Sequence, residues 1–364
     1  MSLGTSVVID LAALRHNFIL AARAAPNSKL MAVIKANAYG HGILEVAAAL
    51  DTADGFAVAR LDEAIRLRDA GSDKTILVLT GFNDERELRE FSYYDLDAVV
   101  HSEYQVELLE ACTGISPISV WLKINTGMNR LGIEAADLSR IADRIQLSAK
   151  VRLPYKLMTH FSCADDMASD VTQQQINLFD ESVAGHAGEQ SLANSAGLLG
   201  WQYAQRHWVR PGIMLYGGSP FYARKASDDQ LKPVMTFSSR VISLRQLTKG
   251  QCVGYGASWV APSACLIATI GAGYGDGYPR HAKTGTPVLI NGVQVPVVGR
   301  VSMDSMTVDV SQCVGIKLGD KAVLWGEGLP IEQVAADSST ISYELMCGIT
   351  ERVKRIYRSA GNGE

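Results

Sequence analysis

No two of the six cysteines (Cys112, Cys163, Cys252, Cys265, Cys313 and Cys347) stand in a Cys-x-x-Cys pair. That scatter argues against a disulfide framework or a zinc site, and fits reduced thiols in a cytoplasmic protein. No apolar run approaches the roughly 18 residues of a membrane span. The start, MSLGTSVVIDL, lacks the basic n-region and long h-region of a signal peptide. Neither sign of charge is in large excess: 34 Lys and Arg stand against 38 Asp and Glu, a net −4. This balance excludes nucleic acid and anionic membrane as main partners. The chain also lacks low-complexity segments, a fixed-period repeat, and a Gly-rich phosphate fingerprint after its first strand.

What is present is alternation. Short apolar runs at 30–34, 55–58, 75–79, 97–100, 118–124, 155–159, 190–193 and 208–210 are separated by amphipathic segments such as 61–70, closed by Gly71. A helix before the first run begins well, with Asp10 as N-cap and Ile9 and Leu14 at the two staple positions, and Pro26 stops it. Eight strands alternating with helices predict a (β/α)8 TIM barrel of the α/β class. Past residue 230, VMTFSSRVISLRQL, ACLIATIGAGYG, TPVLINGVQVPVVGR and DKAVLWG read as strands joined by turns. Asn291-Gly292 is a strong hairpin signal, and 330–347 reads as helical. With 364 residues the chain holds both parts. The expected division is a barrel over 8–230 and a mostly β C-terminal domain over 231–364, with segment 1–7 able to pair with the latter.

Barrel enzymes carry their sites at the C-terminal ends of the strands. The residues there are Lys35 after LMAVI, Lys123 in VWLKIN, His160 after KLMT, Asn194 after SLA and Arg210 after WV. Each alone is an ordinary solvated or structural side chain. Brought to one rim, they make a cationic pocket for an anionic ligand. Burial and neighbouring positive charge would lower a lysine's pKa and favour an amine able to form a Schiff base. A Schiff-base aldolase and a pyridoxal phosphate enzyme both satisfy this pattern.

AVIKANAYGHG, VWLKINTGMNRLG, WVRPGIMLYG, VGYGASW, GYGDGYPR and VGRVSMD, in this order, resemble the bacterial alanine racemase family over about residues 6–357. The resemblance implies a pyridoxal 5'-phosphate enzyme built as a barrel plus a β domain, and a homodimer with shared active sites. It implies that Lys35 holds the cofactor and acts as one catalytic base, and that Tyr255, from the opposite subunit, is the other. Arg210 matches the arginine facing the pyridine nitrogen, and His160 the histidine beside the ring. Tyr39, Ser195, Gly212, Ile213 and Tyr343 match the phosphate-binding group, with Asn194 beside them among the cofactor residues. Arg130 and Met303 match residues that meet the substrate carboxylate. Lys123 matches a lysine that many members carry as a carbamate. Tyr274, Asp276 and Arg280 match the entry channel, although Asp276 in a glycine-rich turn can equally hold that turn. His41 is expected to be structural.

Racemisation needs a proton removed from one face of Cα and one returned to the other, which two opposed bases do directly. A tyrosine base must work as phenolate, and its usual pKa is about 10, so cations such as His160 or Arg210 are expected to lower it. An arginine can donate to the pyridine nitrogen but cannot leave a proton on it. The ring is then a weaker electron sink, which restrains transamination. The expected reaction is the interconversion of L- and D-alanine, for cell-wall peptidoglycan or for alanine catabolism. The alternatives are a broad-specificity amino-acid racemase, a fold-related decarboxylase, disfavoured by Arg210 and the Tyr255 motif, and a non-catalytic pyridoxal phosphate-binding protein, disfavoured by the β domain.

Overall fold

Asp10 ends a strand and starts a helix. Its backbone is extended (φ −89°, ψ 99°), and its carboxylate accepts from the Ala12 and Ala13 amides at 2.8 and 2.9 Å, capping helix Leu11–Ala24 as an aspartate does best. The computed structural model describes residues 4–222 and 224–359. Strand β1 (Ser6–Asp10) belongs to the second sheet of the molecule, and the next strands make the first. These are β2 (Lys29–Val33), β3 (Gly55–Val58), β4 (Thr75–Val78), β5 (Asp97–Val100), β6 (Ile118–Asn125), β7 (Ile133–Glu134), β8 (Val151–Met158), β9 (Gln190–Ser191) and β10 (Trp208–Val209).

Neighbours run β5-β4-β3-β2-β10-β9-β8-β6, all parallel, and β5 pairs β6 to close the ring of eight. Runs such as GFAV and DAVV are buried throughout, because strands of a closed parallel barrel face side chains inside and helices outside. All eight expected strands are there. The last two are only two residues long, and β7, an added parallel partner of β6, was not anticipated.

The N-terminal half of the barrel holds two similar polar units. Asp97 accepts from Trp121 Nε1 at 2.7 Å and from Lys156 Nζ at 3.2 Å, and Glu189 accepts from Trp208 Nε1 and Lys29 Nζ, both at 2.7 Å. Each lysine lies 5.1 Å from its tryptophan ring centre. Removing the buried acceptor strands an indole N–H and an ammonium at once. Asp97→Ala is therefore expected to lower unfolding free energy in urea by about 2–3 kcal/mol, and Asp97→Asn by less, since one acceptor remains.

The second sheet contains β11 (Met235–Leu247), β14 (Cys265–Ile270), β15 (Pro287–Ile290), β16 (Val293–Pro296), β17 (Met306–Asp309), β18 (Lys321–Trp325) and β19 (Lys354–Arg358), and β12 (Cys252–Val253) pairs β13 (Trp259–Val260) as a separate ribbon. β1 lies between β11, antiparallel, and β19, parallel. Residues 1–3 of the segment expected to pair here lie outside the described residues. The β15–β16 hairpin turns at Asn291 (φ 49°) and Gly292 (φ 79°), the two left-handed positions of a type I′ turn. The expected helix over 330–347 is two, Ile331–Asp337 and Ser342–Cys347. Ser339 at φ 52° breaks the helical path between them.

Candidate active site

The run KLMAV leads through Ile34 to Lys35, and the chain then does something L-residues resist. Ala36, Asn37, Ala38 and Tyr39 all take left-handed conformations, φ 52–54°, at roughly 1–2 kcal/mol per residue. Alanines limit the clash and asparagine tolerates the region best. Gly40 (φ 80°) must be glycine, since a Cβ there would lie 2.3 Å from the Met346 carbonyl. His41 is fully buried, and its Nδ1 lies 3.0 and 2.9 Å from the Ala38 and Tyr39 carbonyls, so that nitrogen carries the hydrogen. Burial pushes its pKa down to about 4 despite those bonds, so it is a neutral structural pin. The reverse-handed turn lets Lys35 and Tyr39 line the same cavity.

That cavity, about 590 Å³, lies at the C-terminal end of the barrel. All five expected rim residues, Lys35, Lys123, His160, Asn194 and Arg210, line it, and Tyr39, Arg130, Ser195, Gly212, Ile213 and Tyr343 join them. Four of these side chains are cationic, and among the described residues no carboxylate lines the wall. This donor set fits an anionic ligand, and flat contacts are at hand. Tyr39 stacks on Tyr216 at 4.6 Å between ring centres and is tilted against Tyr343 at 5.8 Å. Burial raises the pKa of the Tyr39 phenol, and Tyr343 adds to it, so its O–H stays available as a donor. Ser195 Oγ accepts from the Gly212 and Met214 amides at 2.8 and 3.4 Å, which leaves its own hydrogen to donate.

Arg210 is buried in the barrel top. Its Nη1 donates to Ser191 O at 2.9 Å and to Ser191 Oγ at 2.5 Å, and its Nη2 donates to Thr159 O and Leu192 O at 2.7 and 3.2 Å. Nη2 also lies 3.4 Å from His160 Nδ1. None of these bonds uses Nε. Burial lowers the guanidinium to about 10, still charged at neutral pH. His160 is driven well below its ordinary pKa, first by burial and then by Arg210, Lys123, Arg130 and Lys35. The expectation that His160 is a cation is therefore corrected: it is a neutral imidazole, and a burden of positive charge around it keeps it so.

Burial, then Arg130, lowers Lys35, while Cys347 and Glu63 oppose the shift. Lys123 is pushed down to about 8 by burial, then Arg210, Arg130 and Lys35. In the unfolded chain it returns to near 10.5, so the folded state binds its proton less tightly. The penalty, about 3 kcal/mol at roughly 1.4 kcal/mol per unit, is full below pH 8 and fades as pH rises toward 10.5. Lys123→Met is expected to raise the unfolding midpoint at pH 7, with the gain shrinking across that window. A gain that does not change with pH would contradict this origin.

The remaining expected residues are not in this cavity of their own chain. Tyr255 sits between β12 and β13 in a loop with Gly254, Gly256 and Ala257 left-handed, and is 69% exposed. Met303 is 53% exposed, and its carbonyl accepts from Gly275 N at 2.8 Å beside Tyr274. Arg280 is exposed elsewhere on the β domain, near Arg300. Asp276 is buried, accepts from Arg352 Nε at 2.8 Å and from Gly273 N at 2.9 Å, and so serves as the turn-holding aspartate. Sequence reasoning missed Ser191, Tyr216, Cys347 and Glu63. Only Glu63 left a signal, an acid at the third position of helix Leu61–Asp69, whose Oε2 accepts from the Ala59 and Arg60 amides.

A TIM barrel with a half-buried lysine at its mouth, its pKa lowered by burial and then by Arg130, walled by cations and followed by a mostly antiparallel domain, is built to take an anionic ligand. Sequence profiles of the N- and C-terminal domains of alanine racemase match residues 9–220 and 234–357, and the chain belongs to the alanine racemase family. It is 48% identical over 349 residues to the alanine racemase of Vibrio vulnificus (strain CMCP6), covering 96% of this chain and 98% of that one. It is 47% identical over 345 residues to that of Aeromonas hydrophila, covering 95% and 97%. The crystal structure of biosynthetic alanine racemase from Pseudomonas aeruginosa superimposes with a TM-score of 0.95 at 42% identity, covering 98% of this chain and 99% of that one.

Proposed function

We propose that the protein interconverts L- and D-alanine with pyridoxal 5'-phosphate held in the cationic cavity. The observation that carries this is the wall itself: Lys35, Lys123, Arg130 and Arg210 converge, with no carboxylate among the described lining residues. When bound, the cofactor supplies a sink for the electrons left at Cα as its proton departs. Lys35 holds it and, with a lowered pKa, offers its amine as the base on one face. Arg210 has Nε in hand for the ring nitrogen, and a guanidinium donates without surrendering its proton. Tyr39, Ser195, Gly212, Ile213 and Tyr343 form the phosphate cradle. Gly212 keeps it open, because a Cβ there would lie 2.8 Å from the Tyr39 hydroxyl. Arg130 neutralises the substrate carboxylate at the cavity mouth.

The second base is Tyr255 of another copy. Its exposure in a tight loop, with Met303 and Tyr274 also exposed on the same domain, supports a homodimer in which each β domain completes the other barrel. The role of Asp276 is to fix the entry turn through Arg352, while Tyr274 and Arg280 border the path. With six free cysteines, and among the described residues no helix long and apolar enough to cross a membrane, we assign the enzyme to the cytoplasm.

The test is L-alanine with purified protein in D2O, following optical rotation and Cα exchange together. Loss of rotation with deuterium entering Cα is the expected result. Cofactor binding with neither change would remove alanine as the substrate.

A further inference from the structure

The left-handed turn that aims Lys35 and Tyr39 is held from outside the cavity by His41 at its Ala38 and Tyr39 carbonyls and by Glu63 at its Asn37 amide. Glu63 is buried. Its Oε2 accepts from the Ala59 and Arg60 amides at 3.0 and 3.3 Å, where β3 passes into its helix, and its Oε1 reaches the Asn37 amide at 3.1 Å. Both carboxylate oxygens are thus committed, one to the next strand–helix junction and one to the middle of the four left-handed residues. Asn37 in turn accepts from the Ile43 amide at 3.0 Å with its own side chain, so the turn is tied at both ends.

We propose that Glu63 is the positioning residue for the reactive lysine: its carboxylate clamps the Asn37 amide and keeps 36–39 left-handed, so that Lys35 and Tyr39 face one cavity. The proposal rests on the functional reading above for its consequence in catalysis, but the clamp itself is a property of the fold. Relaxation of 36–39 to right-handed geometry would relieve four unfavourable backbone conformations. A buried carboxylate with three amide donors is the kind of anchor that prevents it.

Glu63 also brings charge. The groups acting on Lys35 are Arg130, which lowers its pKa, and Glu63 and Cys347, which raise it. Lys123 and His160, across the same cavity, are influenced by Lys35 in turn. Glu63 stands behind the cavity wall, and a fixed negative charge there tempers the loss of the Lys35 proton.

Two variants of the full chain separate the roles. In Glu63→Gln one oxygen becomes an amide NH2, which donates and cannot accept, and the charge is gone. In Glu63→Asp the charge and the Ala59–Arg60 contacts remain, but the reach to Asn37 is lost. Amide hydrogen exchange of the segment 35–42 is expected to quicken by about tenfold or more in Glu63→Asp, the loss of one charge-assisted bond, and by less in Glu63→Gln, which keeps one acceptor. Uptake of pyridoxal phosphate by the cofactor-free chain, followed by absorbance, requires the neutral amine and rises with pH. Its midpoint is expected to move to lower pH in Glu63→Gln and to stay near wild type in Glu63→Asp. Wild-type exchange in 35–42 in Glu63→Asp overturns the clamp, even if the thermal midpoint falls. An unmoved uptake midpoint in Glu63→Gln overturns the charge role. If Glu63→Gln does not fold, exchange in Glu63→Asp decides. If the wild-type chain takes up no pyridoxal phosphate, the functional reading fails while exchange still judges the clamp.

Discussion

A Lys35→Ala chain and a Tyr255→Ala chain, each with kcat/KM reduced about 10²–10⁴-fold by loss of a base, are expected to regain activity when mixed. Lys35 lies in the barrel cavity and Tyr255 outside it on the β domain. In a symmetric dimer with shared sites, a mixed pair holds one site with neither substitution and one with both. Equal amounts, randomly assorted, give mixed pairs in half the population, and so about one quarter of wild-type activity. Recovery should require subunit exchange and disappear if the two dimers are cross-linked before mixing. No recovery, with mixed dimers confirmed by mass, would reject the borrowed tyrosine. Recovery without exchange would point to a site complete in one chain.

Arg210→Lys is expected to fail twice. The guanidinium spreads its Nη donors over Ser191 O, Ser191 Oγ, Thr159 O and Leu192 O, four acceptors on the ends of two strands. An ammonium is a point donor with three hydrogens and cannot span that arc. Buried carbonyls left unpaired should lower unfolding free energy by about 2–4 kcal/mol. Without a planar donor for the ring nitrogen, kcat should fall about 10²–10³-fold, the usual cost of losing one preorganised donor. Urea titration and steady-state kinetics measure the two separately. A variant with normal stability and reduced kcat would confine Arg210 to the cofactor. Normal values of both would deny it any role.

The eight barrel strands were legible because buried parallel strands are short apolar runs bounded by helix caps and glycines, and that pattern is local. The five rim residues were legible for the same reason: once strand ends are known, barrel geometry brings them together whatever the helices do. The hairpin at Asn291-Gly292 needs nothing beyond two residues that tolerate positive φ. The single helix expected over 330–347 is two because Ser339 leaves the helical region, and a serine in a polar stretch does not announce that.

The sequence by itself determined the class of fold, the family and the composition of the cationic wall, since each follows from residue type and spacing along the chain. Tertiary structure decided the rest. The spacing in KANAYGHG does not state its handedness; four left-handed residues follow from the packing of Gly40 against Met346, of His41 beneath the turn, and of Glu63 behind it. His160 reads as a cation on paper and is neutral in place, because burial and its cationic neighbours act on one another only when the strands close. Asp276 reads equally as a channel residue and as the holder of its turn, and what the fold adds is Arg352, 76 residues away along the chain, whose Nε donates to it. Charge state and backbone strain depend on what lies across space, and only the folded chain determines that.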